Sequence, residues 1–303
     1  MEVRGTSAAL RKRWTSTSGR ELARTVQRRI LGNETLDGLG LQETGGRVDL
    51  RGIAFAADLS KLRGVRLHGV DLSGSSLGNW HVVDSEIADC VFDGADCQHW
   101  HLRRSSISDS TFDHADLRYS TLGEWSEGKG NTYLRVSFAS VRLVRSSTST
   151  ATYEDCDFSN AELDRVNFWQ SSLIRCRFAG PVRDVVFDGR MLGEGKPDAN
   201  PMDQVDFTQA VLDGCEFRGI TFESVMLPPD PALILIRNNE VLDGAIAALA
   251  KVRSDPNAPI AQIVLDHAKQ LLAMGGEALL NLRDFDVSAD LVVSLLREAD
   301  KGS

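Results

Sequence analysis

Basic residues are in short supply: 34 Lys+Arg stand against 43 Asp+Glu in 303 residues, a formal net charge of −9. The simplest nucleic-acid binder is basic overall, so no direct nucleic-acid contact is expected. Long apolar runs are missing too. The longest apolar patch lies near Ala232–Ile236, far below the ~18 residues of a membrane helix, and no membrane association is expected. The basic stretch Arg11-Lys12-Arg13 has no apolar segment behind it, so no secretory signal is expected. The five cysteines are odd in number and never form a CxxC pair. This points to a reducing cytoplasm and away from zinc. No Gly-rich phosphate loop, GxSxG or HExxH occurs, and the six histidines are scattered. No enzyme activity, catalytic residue, cofactor or metal is therefore expected. Aromatics make up only 7%, yet twelve are Phe and three Tyr.

A repeat explains that skew. From Leu62 to Leu122 an apolar residue occupies every fifth position, thirteen times in succession: Leu62, Leu67, Leu72, Leu77, Val82, Ile87, Phe92 and onward. With 42% hydrophobic residues, chance gives roughly 10⁻⁵ for that run. The residue two places earlier is small or β-branched, as in Val65, Val70, Ser75, Ser85, Cys90 and Ala95; Trp80 and Trp100 break the rule. The pattern resumes in a new phase from Tyr133 through Phe138, Leu143, Thr148, Tyr153, Phe158, Leu163, Phe168, Leu173 and Phe178. A third stretch holds Phe187, Leu192, Phe207, Leu212, Phe217, Phe222 and Leu227, and Leu50 and Phe55 read as a degenerate opening turn. Period five is neither helical nor that of a strand. It suits a chain that turns a corner every five residues, two side chains pointing in and three out.

Units such as Ala95-Asp96-Cys97, Ala115-Asp116-Leu117, Cys156-Asp157-Phe158 and Ala161-Glu162-Leu163 resemble the A(D/N)LXX motif of the pentapeptide repeat proteins. The resemblance spans about Leu50 to Leu227. It implies an all-β solenoid, a right-handed quadrilateral β-helix of about seven to eight coils with a narrow square core. Stacked coils need a cap at each end. Residues 1–49 then form an N-terminal basic helical cap, 50–227 the β-helix, and 228–303 a C-terminal helical cap or dimerisation region. Loops interrupt the rod near 123–132 and 193–203, where Gly, Pro and charged residues dominate.

Twenty residues make one coil of four sides, so residues twenty apart should stack. Trp80 and Trp100 form such a pair, either inside a locally widened core or as an aromatic binding surface. His81 and His101 should form an outward pair beside them. All five cysteines fall on inward positions and read as small hydrophobes. Trp125, in the first loop, and Trp169 are candidate exposed aromatics for a partner.

Before Leu50 there are nine Lys+Arg and six Asp+Glu, and Arg20–Leu31 reads as a helix ended by Gly32-Asn33. After Pro228-Pro229-Asp230-Pro231 the period turns helical, with caps at Asn239 and Ser288 and a stop at Gly275-Gly276. These helices cap the rod, offer a homodimer face, or do both. Residues 51–223 carry 18 Lys+Arg and 26 Asp+Glu, so the rod is acidic. Two functions follow. In one, the rod engages a protein partner, and its acidity serves solubility. In the other, it mimics DNA and occupies the DNA-binding groove of a type II topoisomerase, as the resemblance implies for members that protect DNA gyrase from inhibitors. The contact would then run through outward carboxylates, with Asp96 stacked on Asp116 and Asp93 on Asp113.

Overall fold

A computed structural model of the chain describes residues 7–55, 60–190, 202–285 and 289–300. Short strands pair in parallel with strands one turn later, and the offset is twenty residues. Lys61 pairs with His81 and His81 with His101; Arg66 pairs with Glu86 and Glu86 with Ser106. Isolated bridges mark two further sides, Asp71 to Val91 to Thr111 and Ser76 to Asp96 to Asp116. The chain thus runs round four faces, as the period of five requires.

Inward residues stack into one column per face. The third column contains Phe92, Phe112, Phe138, Phe158, Phe178 and Phe207, whose rings lie parallel with centroids 4.6–5.6 Å apart. A second aromatic column, Phe168, Phe187 and Phe217, meets this one edge-on. Offset-parallel stacking within a column and edge-to-face contact between columns are the arrangements aromatic rings prefer. That is where the phenylalanines go.

The small inward position does more than leave room. Ser85 Oγ accepts the backbone N–H of Val65, Ser105 Oγ that of Ser85, and Ser120 Oγ that of Trp100. Each serine gives a buried donor of the previous coil a side-chain acceptor; where the next coil carries alanine the donor turns to its own coil, as Ser75 N–H below Ala95 does to the Leu72 carbonyl. Cysteine at this position does the complementary work: the Cys90, Cys156 and Cys176 thiols face the carbonyls of Leu67, Tyr133 and Tyr153. Burial pushes the Cys90 thiol up to about 12, so it stays protonated. Cys97 belongs to a large-residue column and is buried, whereas Cys215 is half-buried.

Each corner needs left-handed backbone. Glycine supplies it at Gly64, Gly69, Gly74 and Gly94, while Asn79, Asp84, Asp89, His99, Arg104 and Asp109 adopt φ of 48–63° without it. Non-glycine residues rarely sit there, and the stacked ladder on either side compensates for the local strain.

Two interruptions change the register. Ser106 pairs with Thr132 rather than with a residue twenty on, so six residues are extra, in the segment predicted as the first loop. Val186 pairs with Glu216, thirty on, after a nineteen-residue step from Asn167. Here Val182, not a residue five after Phe178, fills the inward position, and Met202 pairs beside Leu173. The predicted inward Leu192, most of the second loop at 193–203, and the predicted cap Ser288 lie outside the described residues.

At the start of the chain, helix α1 (Ser7–Lys12) precedes α2 (Thr17–Leu31), whose N-cap Ser16 accepts from the Gly19 N–H. Helix α2 begins three residues earlier than Arg20 because of this cap. Its Ala23, Val26 and Ile30 join Trp14, Leu50 and Ile53 in the cluster continuous with the rod core. Arg13 clamps the buried Asp49 through its two terminal guanidinium nitrogens, Nη1 and Nη2. At the other end, α3 (Asn239–Leu249), α4 (Ala258–Ala273) and α5 (Ala289–Asp300) form a second apolar cluster. The cap of α3 is Asn238, whose side chain accepts from Val241, not Asn239. Between rod and helices lies an antiparallel pair that sequence periodicity missed, Leu233–Ile236 with Ala278–Asn281.

Candidate partner-binding face

The first interruption raises a hairpin from the rod. Ser126 and Lys129 exchange both backbone hydrogen bonds, at 2.9 and 3.1 Å. Between them Glu127 and Gly128 have φ of 53° and 77°, the two positive values of a type I′ hairpin turn. The hairpin is braced on the rod. His101 Nε2 lies 2.6 Å from Glu124 Oε2, Arg103 Nε donates to Ser126 Oγ at 3.0 Å, and an Arg104 nitrogen lies 3.1 Å from Glu127 Oε1. Asn131 re-enters the core in place of a small residue: its Oδ1 accepts from Ser105 N–H, and its Nδ2 donates to the carbonyls of Leu102 and Leu122. Nothing in the repeat pattern marked Asn131. Its signal is positional, two before inward Tyr133.

Grooves flank the hairpin on both sides. One, of about 540 Å³, is lined by Arg66, Glu86, Arg104, Glu127 and Lys129. The other, of about 380 Å³, includes Trp125, Thr132, Thr152 and Gln170. Trp125 is half-buried against this groove rather than freely exposed, and Trp169 is also half-buried; both expectations of exposure are corrected.

Trp80 and Trp100 are 2% and 1% exposed, with centroids 5.0 Å apart, and Phe55 stacks on Trp80. Trp100 Nε1 donates to the Leu77 carbonyl at 2.7 Å. The widened-core alternative holds and the binding-surface alternative does not, because burial leaves no ring face for a ligand. His81 and His101 do form the outward pair, rings 5.7 Å apart. Among the described residues no group of three His, Cys, Asp or Glu is placed to hold a metal ion.

The four aspartates stack as the period demands: Asp96 bridges to Asp116, and Asp93 Oδ1 accepts the Asp113 N–H at 3.0 Å. All four are half-buried rather than fully outward. Asp93 also accepts from Thr111, and Asp113 from Ser137. Burial, aided by the neighbouring Asp113 charge, raises the Asp93 carboxyl above the usual range. Burial also pushes Asp116 upward, but hydrogen bonds from Arg118 and the charge of Arg142 leave it below the usual range. Elsewhere several corner aspartates pair with an arginine one coil on. Asp109 pairs with Arg135 at 2.6 Å and Asp155 with Arg175 at 2.7 Å, on one corner column; Asp84 pairs with Arg104 on another.

A family model described as Pentapeptide repeats matches in 8 copies, with residues 152–180 matched. The chain carries pentapeptide repeats. Solved structures similar to this repeat rod include the pentapeptide repeat protein Rfr23 from the cyanobacterium Cyanothece 51142, 11% identical over 37% of this chain and 86% of that one, TM-score 0.34. Another is trypsin-treated QnrB1, described as a plasmid-mediated fluoroquinolone resistance protein, 15% identical over 61% and 85% of the two chains, TM-score 0.38. A third is HetL, a pentapeptide repeat protein involved in heterocyst differentiation regulation from the cyanobacterium Nostoc sp. Strain PCC 7120, 13% identical over 67% and 96%, TM-score 0.24. No curated protein matches the sequence.

Proposed function

We propose that the pentapeptide-repeat rod is a non-enzymatic binding module that engages a protein partner through the relief around the 123–131 hairpin. The observation that carries this reading is the pairing of corner aspartates with arginines one coil on. Asp84, Asp109 and Asp155 are each neutralised by an arginine of the next coil. A surface imitating DNA needs uninterrupted rows of unpaired negative charge, and these rows are interrupted. Specificity then falls to shape, and the hairpin with its two grooves supplies it.

A second reading, the DNA mimic that occupies a type II topoisomerase, draws on the like-charged neighbours Asp96 and Asp116, and Asp93 and Asp113. Direct binding to purified DNA gyrase at low and physiological salt separates the two, using wild type, a deletion of residues 123–128 and the four-fold Asp→Asn variant. Asn is preferred to Lys at Asp93, since its amide oxygen still accepts from Asp113 N–H. The partner reading expects no salt-steep gyrase binding. Tight, salt-steep binding that is lost in the Asn variant and kept in the deletion overturns it in favour of the mimic.

A further inference from the structure

The two-stranded sheet between rod and helices has an open side. Leu233–Ile236 pairs antiparallel with Ala278–Asn281 only. The Leu282 N–H donates to the Ala232 carbonyl, which sets the alternation: Ile234 and Ile236 exchange bonds with the partner strand, while Leu233 and Leu235 turn theirs away. Leu233 N–H closes a turn on Asp230. The Leu233 carbonyl, both backbone groups of Leu235 and the Arg237 N–H therefore point along the free edge, and among the described residues no strand covers it.

A groove of about 540 Å³ runs beside this edge, floored by Val241 of α3 and Val293 and Leu296 of α5. Its rim is cationic. Arg237 is anchored by Glu277 at 2.7 Å; Arg297 is exposed and pairs with no described carboxylate. An exposed apolar strand edge is a template for another strand. We infer that this edge and groove take an extended peptide by β-strand addition: its backbone pairs with Leu233, Leu235 and Arg237, alternate apolar side chains enter the groove, and acidic side chains meet Arg297 and Arg237. Backbone pairing gives affinity, and the groove and the two arginines give selectivity. A second copy of this chain is the disfavoured occupant, because its matching strand is flanked by the same arginines and would set cation against cation.

Fluorescence anisotropy with the full chain tests this with three probes. The first is fluorescein-Gly-Asp-Val-Glu-Ile-Glu-Val-Asp, the second carries Lys for every acid, and the third is the first N-methylated at alternate residues. The acidic probe should bind saturably, the lysine and N-methylated probes at least tenfold more weakly, and Arg297→Glu should cost a further tenfold for the acidic probe alone. Circular dichroism of Arg297→Glu should match wild type, since the side chain is exposed. No binding of the acidic probe at low salt, equal binding of the N-methylated probe, or a light-scattering mass of a dimer at micromolar concentration each overturns the inference.

Discussion

Asn131 Oδ1 accepts the Ser105 N–H at 3.0 Å, across twenty-six residues of sequence. In the coil before, Ser105 Oγ does the same for Ser85. Asparagine is the longer side chain, and here it also bonds two backbone carbonyls beside the hairpin, those of Leu102 and Leu122.

Asn131→Ala should therefore destabilise the rod by about 2–3 kcal/mol, because it leaves buried polar groups unpaired. Asn131→Ser should cost less, since a hydroxyl restores the ordinary bond to Ser105. Urea melts of the three proteins measure the order, and equal midpoints for Ala and wild type would refute it.

Phe158 lies between Phe138 and Phe178, with centroids 5.0 Å away on either side. Phe158→Ala should cost about 3–4 kcal/mol, since stacked coils above and below cannot close the hole. Leu163→Ala and Phe168→Ala should fall near 3 kcal/mol. Thermal melts unchanged for all three would contradict the inward register.

Asp49 is held below the usual carboxylate range: burial opposes this, but hydrogen bonds from Arg51 and Arg13 outweigh it. A depressed folded value means stability that is present above the unfolded value of about 4 and is lost as pH falls through the folded one. Thermal midpoints should drop more steeply below pH 4 in wild type than in Asp49→Asn, which should be less stable at pH 7 and flatter with acid. Parallel pH profiles would remove Asp49 as the cause.

Truncation after Leu227 should give β-rich but aggregation-prone protein. The tail supplies bonds the last coil cannot replace: Asn281 Nδ2 donates to the Leu212 carbonyl at 2.8 Å, and Glu277 accepts from Phe222 N–H at 2.7 Å. Removing them uncovers Ile220 and Phe222 with an open coil edge. A soluble, monodisperse truncation would show instead that the tail is a separate module.

Period five alone, read from Leu62 to Phe178, determined the four-faced rod, the stacking of residues twenty apart and the inward place of Cys90, Cys97, Cys156 and Cys176, because a chain that turns every fifth residue can bury only those positions. It also located the first interruption, since six extra residues shift the phase of everything after Leu122. It did not decide which way Trp80 and Trp100 face in energetic terms: either side of a corner accommodates a ring until Phe55, Phe92 and the Leu77 carbonyl are known to surround it. Nor did it reveal that Asp93 and Asp113 are engaged by Thr111 and Ser137, for those partners come from adjacent coils and an outward position in sequence carries no record of them. The strand Leu233–Ile236 was legible only as an apolar patch. Its partner lies more than forty residues on, and only tertiary packing between rod and helices selects an edge strand over a buried helical turn.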